Sequence, residues 1–381
     1  MTLITVEGTA LPEQMYAVVL RKPFHLEYTK IPVWPIESYE DPKIVLLKVN
    51  VCGVCGSDFR YYQGENPWAQ HTTGKHIANP PNIVLGHEYV GTVYAVLAED
   101  NREWLGKRVV PICSQICGRC QMCQTNRAHL CENTIHIGHG QGWGTRAYYP
   151  GAYAEYAPAW IQGCYEIPSH VSSEEAAMMD VLAVSTHAFD RADHKVDLPL
   201  LILGAGAIGN GIGQAARNQG VAEENIILID NSPISIQVAS ETGFQNMIDS
   251  SDKDRGALTQ LVRAVTNNRN VFSVFDTIGT DFSFTLGMNL LDKGGTFVNL
   301  AVHDQNLIDF NQMQLSSERN LTTSSNFSLS AYNRTWNWLC RGRYNLTPWF
   351  SKISLAEVPK FFTEKIKNKK QREYFKLVIT G

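Results

Sequence analysis

From about Ser172 onward the chain alternates short apolar runs with amphipathic stretches, and that alternation leaves few folds open. LPLLILG reads as a buried strand, AIGNGIGQAARNQG as a helix and NIILID as a strand; ISIQVASETG, VFSVFDTIG, FSFTLGMNLLDKG and GTFVNLAV continue the pattern as helix, strand, helix and strand. Strands that are apolar throughout, separated by helices, predict a parallel sheet covered on both faces. The helical stretch SSEEAAMMDVLAVSTHAFDRA precedes it and opens on a serine and acids suited to an N-terminal cap. Further upstream, YAVVL, KIVLLKVNV, EYVGTVYAVL and KRVVPIC are β-branched runs broken by Pro, Gly, Asn and Asp, so the first third reads as β-rich. After about Ser328 come a helix (AYNRTWNWLCRG), an amphipathic stretch (SLAEVPKFFTEKI) and a last strand (FKLVIT), with NKKQRE as a solvated turn before it. At 381 residues the chain exceeds one comfortable core, and an α/β protein of two domains is expected.

Bulk properties exclude several partners. With 18% charged residues and a formal net charge of −4, nothing electrostatic calls for nucleic acid or an anionic membrane surface. MTLITVEGTALPEQMYAVVL lacks a cationic segment followed by an apolar one, so no secretion signal is expected, and no run of about 18 apolar residues predicts a membrane span. Nine cysteines in such a chain point to a reducing, cytoplasmic setting and to metal chemistry in place of a disulfide framework.

Gly204, Gly206 and Gly209, with Ala207 and Ile208 inside the motif, follow a strand directly and open a helix. Gly204 allows a tight turn, Gly206 lets backbone approach a pyrophosphate, and Gly209 lets helix and strand pack closely. The helix N-terminus then offers unpaired N–H groups to phosphate. Asp230 ends the next strand, 26 positions beyond Gly204. It suits the adenosine ribose hydroxyls and would repel a 2′-phosphate, since Asn231 and Ser232 carry no positive charge, so NAD is expected over NADP. Asp230 can equally cap the turn before Pro233.

Two metal sites are readable. Cys117, Cys120, Cys123 and Cys131 have the spacing C-x2-C-x2-C-x7-C within a polar, aperiodic segment that cannot hold its own shape by burial. Free thiols and disulfides are the alternatives, and the tight spacing favours a closed structural zinc lobe at about 113–133. Cys113 lies outside the rhythm and reads as a spare buried thiol. Cys55 in GVCGSD and His87 in LGHEYVG, flanked by Asp58 and Glu88, suggest a second zinc. A catalytic zinc takes three protein ligands and keeps one position open. Asp180, an acid in an otherwise apolar helical stretch, is the candidate third ligand; a buried salt bridge or a cap is the other explanation for it.

GVCGSD, GHEYVG, the four-cysteine lobe and GAGAIG, in this order, resemble the zinc-dependent medium-chain alcohol and polyol dehydrogenases over essentially the whole chain. The resemblance implies a GroES-like catalytic domain at 1–184, a Rossmann NAD-binding domain at 185–327 and a C-terminal segment, 328–381, returning to the catalytic domain. It implies two zincs per chain and NAD, with the catalytic zinc on Cys55, His87 and Asp180. It further implies that Asp58 orients the His87 ring, that Ser57 relays the substrate proton, and that Glu88 tunes the metal or exchanges as a ligand. Zinc would lower the pKa of the substrate hydroxyl and hydride would pass to the nicotinamide. A homodimer or homotetramer, joined through strands of the nucleotide domain, also follows from the resemblance.

Three positions depart from the family pattern. Polyol-type relatives carry Glu-Pro where this chain has Asp180-Val181, and a shorter acid must sit closer to the metal or bind through water. Many relatives have histidine where this chain has Arg60, which stays protonated and cannot relay a proton. The 31 residues between Cys55 and His87 exceed the family's usual interval, and the surplus around GENPWAQHTTGKHIANPPN is expected to form a polar loop near the active-site mouth. His71 and His76 there read as solvated, and Trp68 as either a pocket wall or a loop anchor. The expected activity is NAD-dependent oxidation of a secondary alcohol (polyol, sugar or cyclitol). A threonine-type or simple aliphatic alcohol dehydrogenase is the alternative within the class, and a catalytically inactive NAD-binding sensor or structural protein the alternative outside it.

Overall fold

The β-branched runs of the first third become the strands Gln14–Lys22, Ile44–Gly53, Glu88–Val96 and Arg108–Pro111 in a computed structural model of the chain. The structure describes residues 3–39, 41–301, 312–368 and 373–380, without the side chains of 71–73 and 367–368. The expected turn NKKQRE therefore lies almost wholly outside the described residues, as does the side chain of His71. Two compact units result, one from Met1–Asp180, Phe350–Lys370 and Lys376–Gly381, the other from Val181–Trp349 and Gln371–Phe375.

In the first unit an eight-stranded sheet is built around Ile44–Gly53. That strand pairs antiparallel with Glu88–Val96 on one side and Lys376–Thr380 on the other. Gly53 lies opposite both Glu88 and Val378, so three segment ends are drawn to one edge of the sheet.

The second unit holds a six-stranded parallel sheet: β1 Leu200–Leu203, β2 Ile226–Asp230, β3 Asn246–Asp249, β4 Val271–Asp276, β5 Leu291–Asn299 and β6 Asn320–Thr323. Their order is β3-β2-β1-β4-β5-β6, with the reversal between β1 and β4. Open sheets of this kind bind ligands beyond the strand carboxyl ends at that reversal. Every residue of β1 is buried, as its unbroken apolar run requires.

Four features differ from the sequence expectation. Strands β3 and β6 and the helix Arg255–Val265 were not anticipated: neither strand has a fully buried residue, and the helix buries only Leu258 and Val262. FSFTLGMNLLDKG is helical only through Leu290, and β5 begins at Leu291. The segment returning to the first unit starts at Phe350, not 328. The helix Leu329–Cys340 belongs to the nucleotide unit, where Thr335 Oγ1 donates to Thr186 Oγ1 at 2.8 Å and Ala331, Tyr332 and Leu339 are buried. The surplus between Cys55 and His87 is not all loop, because Pro67–Thr73 is a helix. Asn66 caps it, accepting from Ala69 N at 3.0 Å, and Pro67 opens it, where its missing N–H costs nothing.

Candidate active site

Strand register assembles the metal-ligating residues. Cys55 lies two residues past the end of Ile44–Gly53, and His87 immediately precedes Glu88–Val96. The turn into His87 needs glycine: Gly86 has φ +93°, and a Cβ there would meet the Tyr153 ring at 2.4 Å. Gly53 leaves room for the Glu88 carboxylate, which would otherwise sit 2.3 Å from a Cβ. Cys55 begins the helix Gly56–Tyr62, and Asp58 in its first turn accepts the Cys55 backbone N–H at 2.9 Å. That hydrogen bond fixes the backbone from which the thiol projects. Asp58 Oδ2 also accepts from Tyr153 Oη at 2.7 Å, while Oδ1 faces His87 Nδ1 at 3.7 Å, an ion-pair distance too long for a direct hydrogen bond.

Among the described residues, ligand atoms of Cys55, His87 and Glu88 all lie within 4.8 Å of one another. The expected third ligand differs here, since Asp180 is outside that group. Asp180 stands on the first turn of the helix Met179–Arg191, and its Oδ1 faces Cys113 Sγ at 3.8 Å. Glu88 is completely buried and paired with Lys376, Nζ to Oε2 being 2.5 Å; its Oε1 has no hydrogen-bond partner. Ser57 Oγ is likewise buried and without one.

Electrostatics define what the pocket accepts. Burial by itself would push the His87 imidazole down, but Cys55, Asp58 and Asp180 outweigh it and raise the pKa to about 10. Burial pushes Asp180 up to about 6 against the pull of His87. Lys376 is held above its usual range by Glu88 in spite of its burial. The direction of the His87 shift reflects the acidic groups gathered around the ring. A soft sulfur, an imidazole and a carboxylate with an unpartnered oxygen are the donor set of a zinc with one open position.

Sequence reasoning missed several residues around this centre. His136 and His139 stack at 4.0 Å between ring centroids, and His139 lies edge-on to His87 at 4.5 Å. Cys113, buried as expected, contacts His136 Nε2 at 3.4 Å. Burial and the neighbouring His87 push His136 down to about 3, so it is neutral. The run HIGHG in the sequence was the available signal for the two histidines; Lys376 and Tyr153 had none. Arg60 is tied to Glu65 at 2.6 Å and to Gln70 at 2.5 Å, and Gln70 Nε2 lies 3.3 Å from His76 Nδ1. Trp68 is half-buried, its backbone N–H donating to Tyr61 Oη at 3.3 Å.

Cys117, Cys120, Cys123 and Cys131 come together as their spacing required. Sulfur–sulfur distances of 3.6, 3.9 and 3.5 Å link Cys120 to Cys123, Cys120 to Cys131 and Cys131 to Cys117. A tetrahedron with zinc–sulfur bonds of about 2.3 Å has edges of about 3.8 Å. Backbone N–H groups of Arg119 and Cys120 bring the Cys117 thiol down to about 6, favouring the thiolate that zinc needs.

In the nucleotide unit Gly204 has φ +90°, and Gly206 is the N-cap of the helix Ala207–Asn218 without a side-chain cap. A Cβ on Gly209 would lie 1.8 Å from Gly204 O. Asp230 accepts from Ala205 N at 2.7 Å through Oδ2 and from Ser232 N at 2.8 Å through Oδ1. It therefore caps its own turn and also holds the glycine turn, with lone pairs left for a ribose hydroxyl. The uncapped helix start and the close glycine packing fit a dinucleotide pyrophosphate.

Comparisons with known proteins place the chain in a family. The alcohol dehydrogenase GroES-like domain family matches residues 41–169, and the zinc-binding dehydrogenase family matches residues 207–340. Sorbitol dehydrogenase of Bacillus subtilis (strain 168) is 27% identical over 301 residues, covering 79% of each chain. L-threonine 3-dehydrogenase of Marinomonas sp. (strain MWYL1) is 28% identical over 273 residues, 71% of this chain and 73% of that protein. The fold matches that of a chain described as a short chain alcohol dehydrogenase from Escherichia coli CFT073, solved with NADH. Its TM-score is 0.81 at 20% identity, over 97% of this chain and 100% of that one. With both matched domains in this order, a four-cysteine zinc lobe and a Cys–His–Glu centre, the chain belongs to the zinc-containing medium-chain alcohol/polyol dehydrogenase family and is a zinc-dependent NAD(P) oxidoreductase.

Proposed function

We propose that the protein oxidises a secondary alcohol of the polyol, sugar or cyclitol class, with NAD as hydride acceptor and Cys55, His87 and Glu88 as ligands of the catalytic zinc. The observation that carries this reading is the convergence of those three ligand atoms within 4.8 Å of one another, with His87 and Glu88 buried. NAD is favoured over NADP because the Asp230 carboxylate stands at the end of β2 and the two residues after it are uncharged.

When bound, zinc lowers the pKa of the substrate hydroxyl and NAD takes the hydride from its carbon. The chain's own residues do the rest. Tyr153 and the Cys55 N–H hold Asp58 in one orientation, and Asp58 turns its second oxygen toward His87 Nδ1. Lys376 fixes Glu88 and supplies the positive charge that its burial requires. Ser57 Oγ, buried and without a partner among the described residues, would relay the substrate proton by accepting it while giving its own hydroxyl proton onward to water. Arg60 takes no part in that transfer, being protonated and engaged by Glu65 and Gln70; it fastens the helix Pro67–Thr73 to the helix Gly56–Tyr62.

A threonine-type activity is the second reading, because relatives of similar identity carry that name. A reducing, cytoplasmic setting suits the thiolate ligands, and a homodimer or homotetramer joined through strands of the nucleotide unit completes the proposal. The test is NAD reduction over a panel of polyols, aldoses, cyclitols, threonine and short aliphatic alcohols. Turnover concentrated on polyhydroxylated substrates supports the proposal; turnover confined to threonine selects the second reading, and none on any substrate removes both.

A further inference from the structure

Thr277 lies just past the end of β4, on the other side of the sheet reversal from the glycine turn, and neither the motif nor the family match gives it a role. Its backbone N–H and its hydroxyl both reach Leu203 O, at 3.0 and 2.9 Å, and the hydroxyl lies 3.3 Å from Gly204 O. It also fills the space beside Gly204: a Cβ on residue 204 would be 2.2 Å from Thr277 Oγ1. The first glycine of the motif is thus required here twice, by its φ of +90° and by the threonine hydroxyl packed against it.

The consequence concerns one peptide unit. The Gly204–Ala205 peptide has its carbonyl beside Thr277 Oγ1 and its N–H on Asp230 Oδ2 at 2.7 Å. The Gly204 carbonyl is further confined by Gly209, whose missing Cβ would be 1.8 Å away. We infer that Thr277 is a positioning residue for the dinucleotide: its hydroxyl proton, shared between Leu203 O at 2.9 Å and Gly204 O at 3.3 Å, steadies one end of the peptide that Asp230 holds at the other, and together they set the turn that aims the helix Ala207–Asn218 at the pyrophosphate. Asp230 serves the adenosine ribose from the same carboxylate, so the latch couples the two halves of the cofactor site. A turn already held in its binding geometry spares the cofactor the cost of ordering it.

This inference rests on the glycine turn being the NAD site. The experiment is an NADH fluorescence titration of wild type, Thr277→Val and Thr277→Ser, with thermal unfolding of each zinc-loaded protein confirming the fold and steady-state kinetics alongside. Valine keeps the shape and removes the hydroxyl; serine keeps the hydroxyl. The expected result is a Kd for NADH raised about five- to tenfold in Thr277→Val, as for the loss of one hydrogen bond. The KM for NAD should rise with it, while the KM for alcohol stays constant and Thr277→Ser stays within about twofold of wild type. A Kd unchanged in Thr277→Val, or equal weakening in both variants, overturns the latch while leaving the NAD site intact. Wild-type protein that binds no NADH overturns the site assignment and the latch with it.

Discussion

Replacing Lys376 with methionine keeps most of the side-chain volume and removes the one cation paired with Glu88. Lysine and glutamate side chains are 5% and 0% exposed, and Nζ also donates to Val54 O at 3.0 Å. Removing one member of a buried ion pair leaves the other charge uncompensated, at about 3–5 kcal/mol. A zinc ion bound beside Glu88 changes that result, because the carboxylate keeps a counter-charge when lysine is gone. The remaining loss is the hydrogen bond to Val54, about 1 kcal/mol. The penalty should therefore depend on the metal, differing by about 2–4 kcal/mol between the two states. Four proteins measure this: wild type and Lys376→Met, each with and without Cys55→Ser, which removes a thiolate ligand of the catalytic zinc and leaves the cysteine lobe alone. At about 2–4 °C per kcal/mol, Lys376→Met should lower Tm by roughly 4–16 °C more in the Cys55→Ser background than in the zinc-loaded one. Equal losses in the two backgrounds would refute the view that zinc and Lys376 answer the same buried charge.

Three further outcomes follow from the geometry. Burial pushes His194 down to about 4 against the hydrogen bond it donates to Leu198 O, so the unfolded chain binds a proton first as pH falls through 6.5; stability should then drop by up to about 3 kcal/mol between pH 6.5 and 4. Denaturant titrations across that range test it, and His194→Gln should flatten the slope; an unchanged slope counts against this cause. Gly209→Ala places a Cβ 1.8 Å from a backbone oxygen that cannot move aside cheaply, and the Kd for NADH by fluorescence should rise at least about tenfold; unaltered binding would contradict the packing role. Cys123→Ser should lower zinc by one per chain and open residues 113–133 to limited proteolysis, since none of residues 118–130 is fully buried and the metal would join the lobe's cysteines; retained zinc and protease resistance would speak against a structural site.

Much of this was legible because the informative contacts are local. The cysteine lobe folds within one short segment, and the glycine turn, the strand before it and the helix after it are contiguous. The strong apolar runs gave four of the six parallel strands, while β3, half-buried, and β6, mostly exposed, lie at the two edges and carry no such run. The helix Arg255–Val265 did leave a signal, Asp254 as its cap with Leu258 and Val262 on one face. The third metal ligand was less accessible. Glu88 reaches the site because Gly53 is its register partner and has no side chain, a relation set by sheet pairing. Lys376 donates to Val54 from 322 positions away, and no local pattern announces such a partner. The return boundary was misplaced for a similar reason: the amphipathic helix Leu329–Cys340 has an apolar face, and contacts distant in sequence, Thr335 with Thr186 and Arg334 with Asp190, tell which core receives it.

Metal analysis of wild type beside Cys55→Ser, with NADH titration of both, tests the central claim most directly. Two zincs per chain in wild type and one in Cys55→Ser, with NADH still bound by both, is the predicted result. One zinc in wild type, or two retained after Cys55→Ser, would contradict a catalytic zinc held by Cys55, His87 and Glu88.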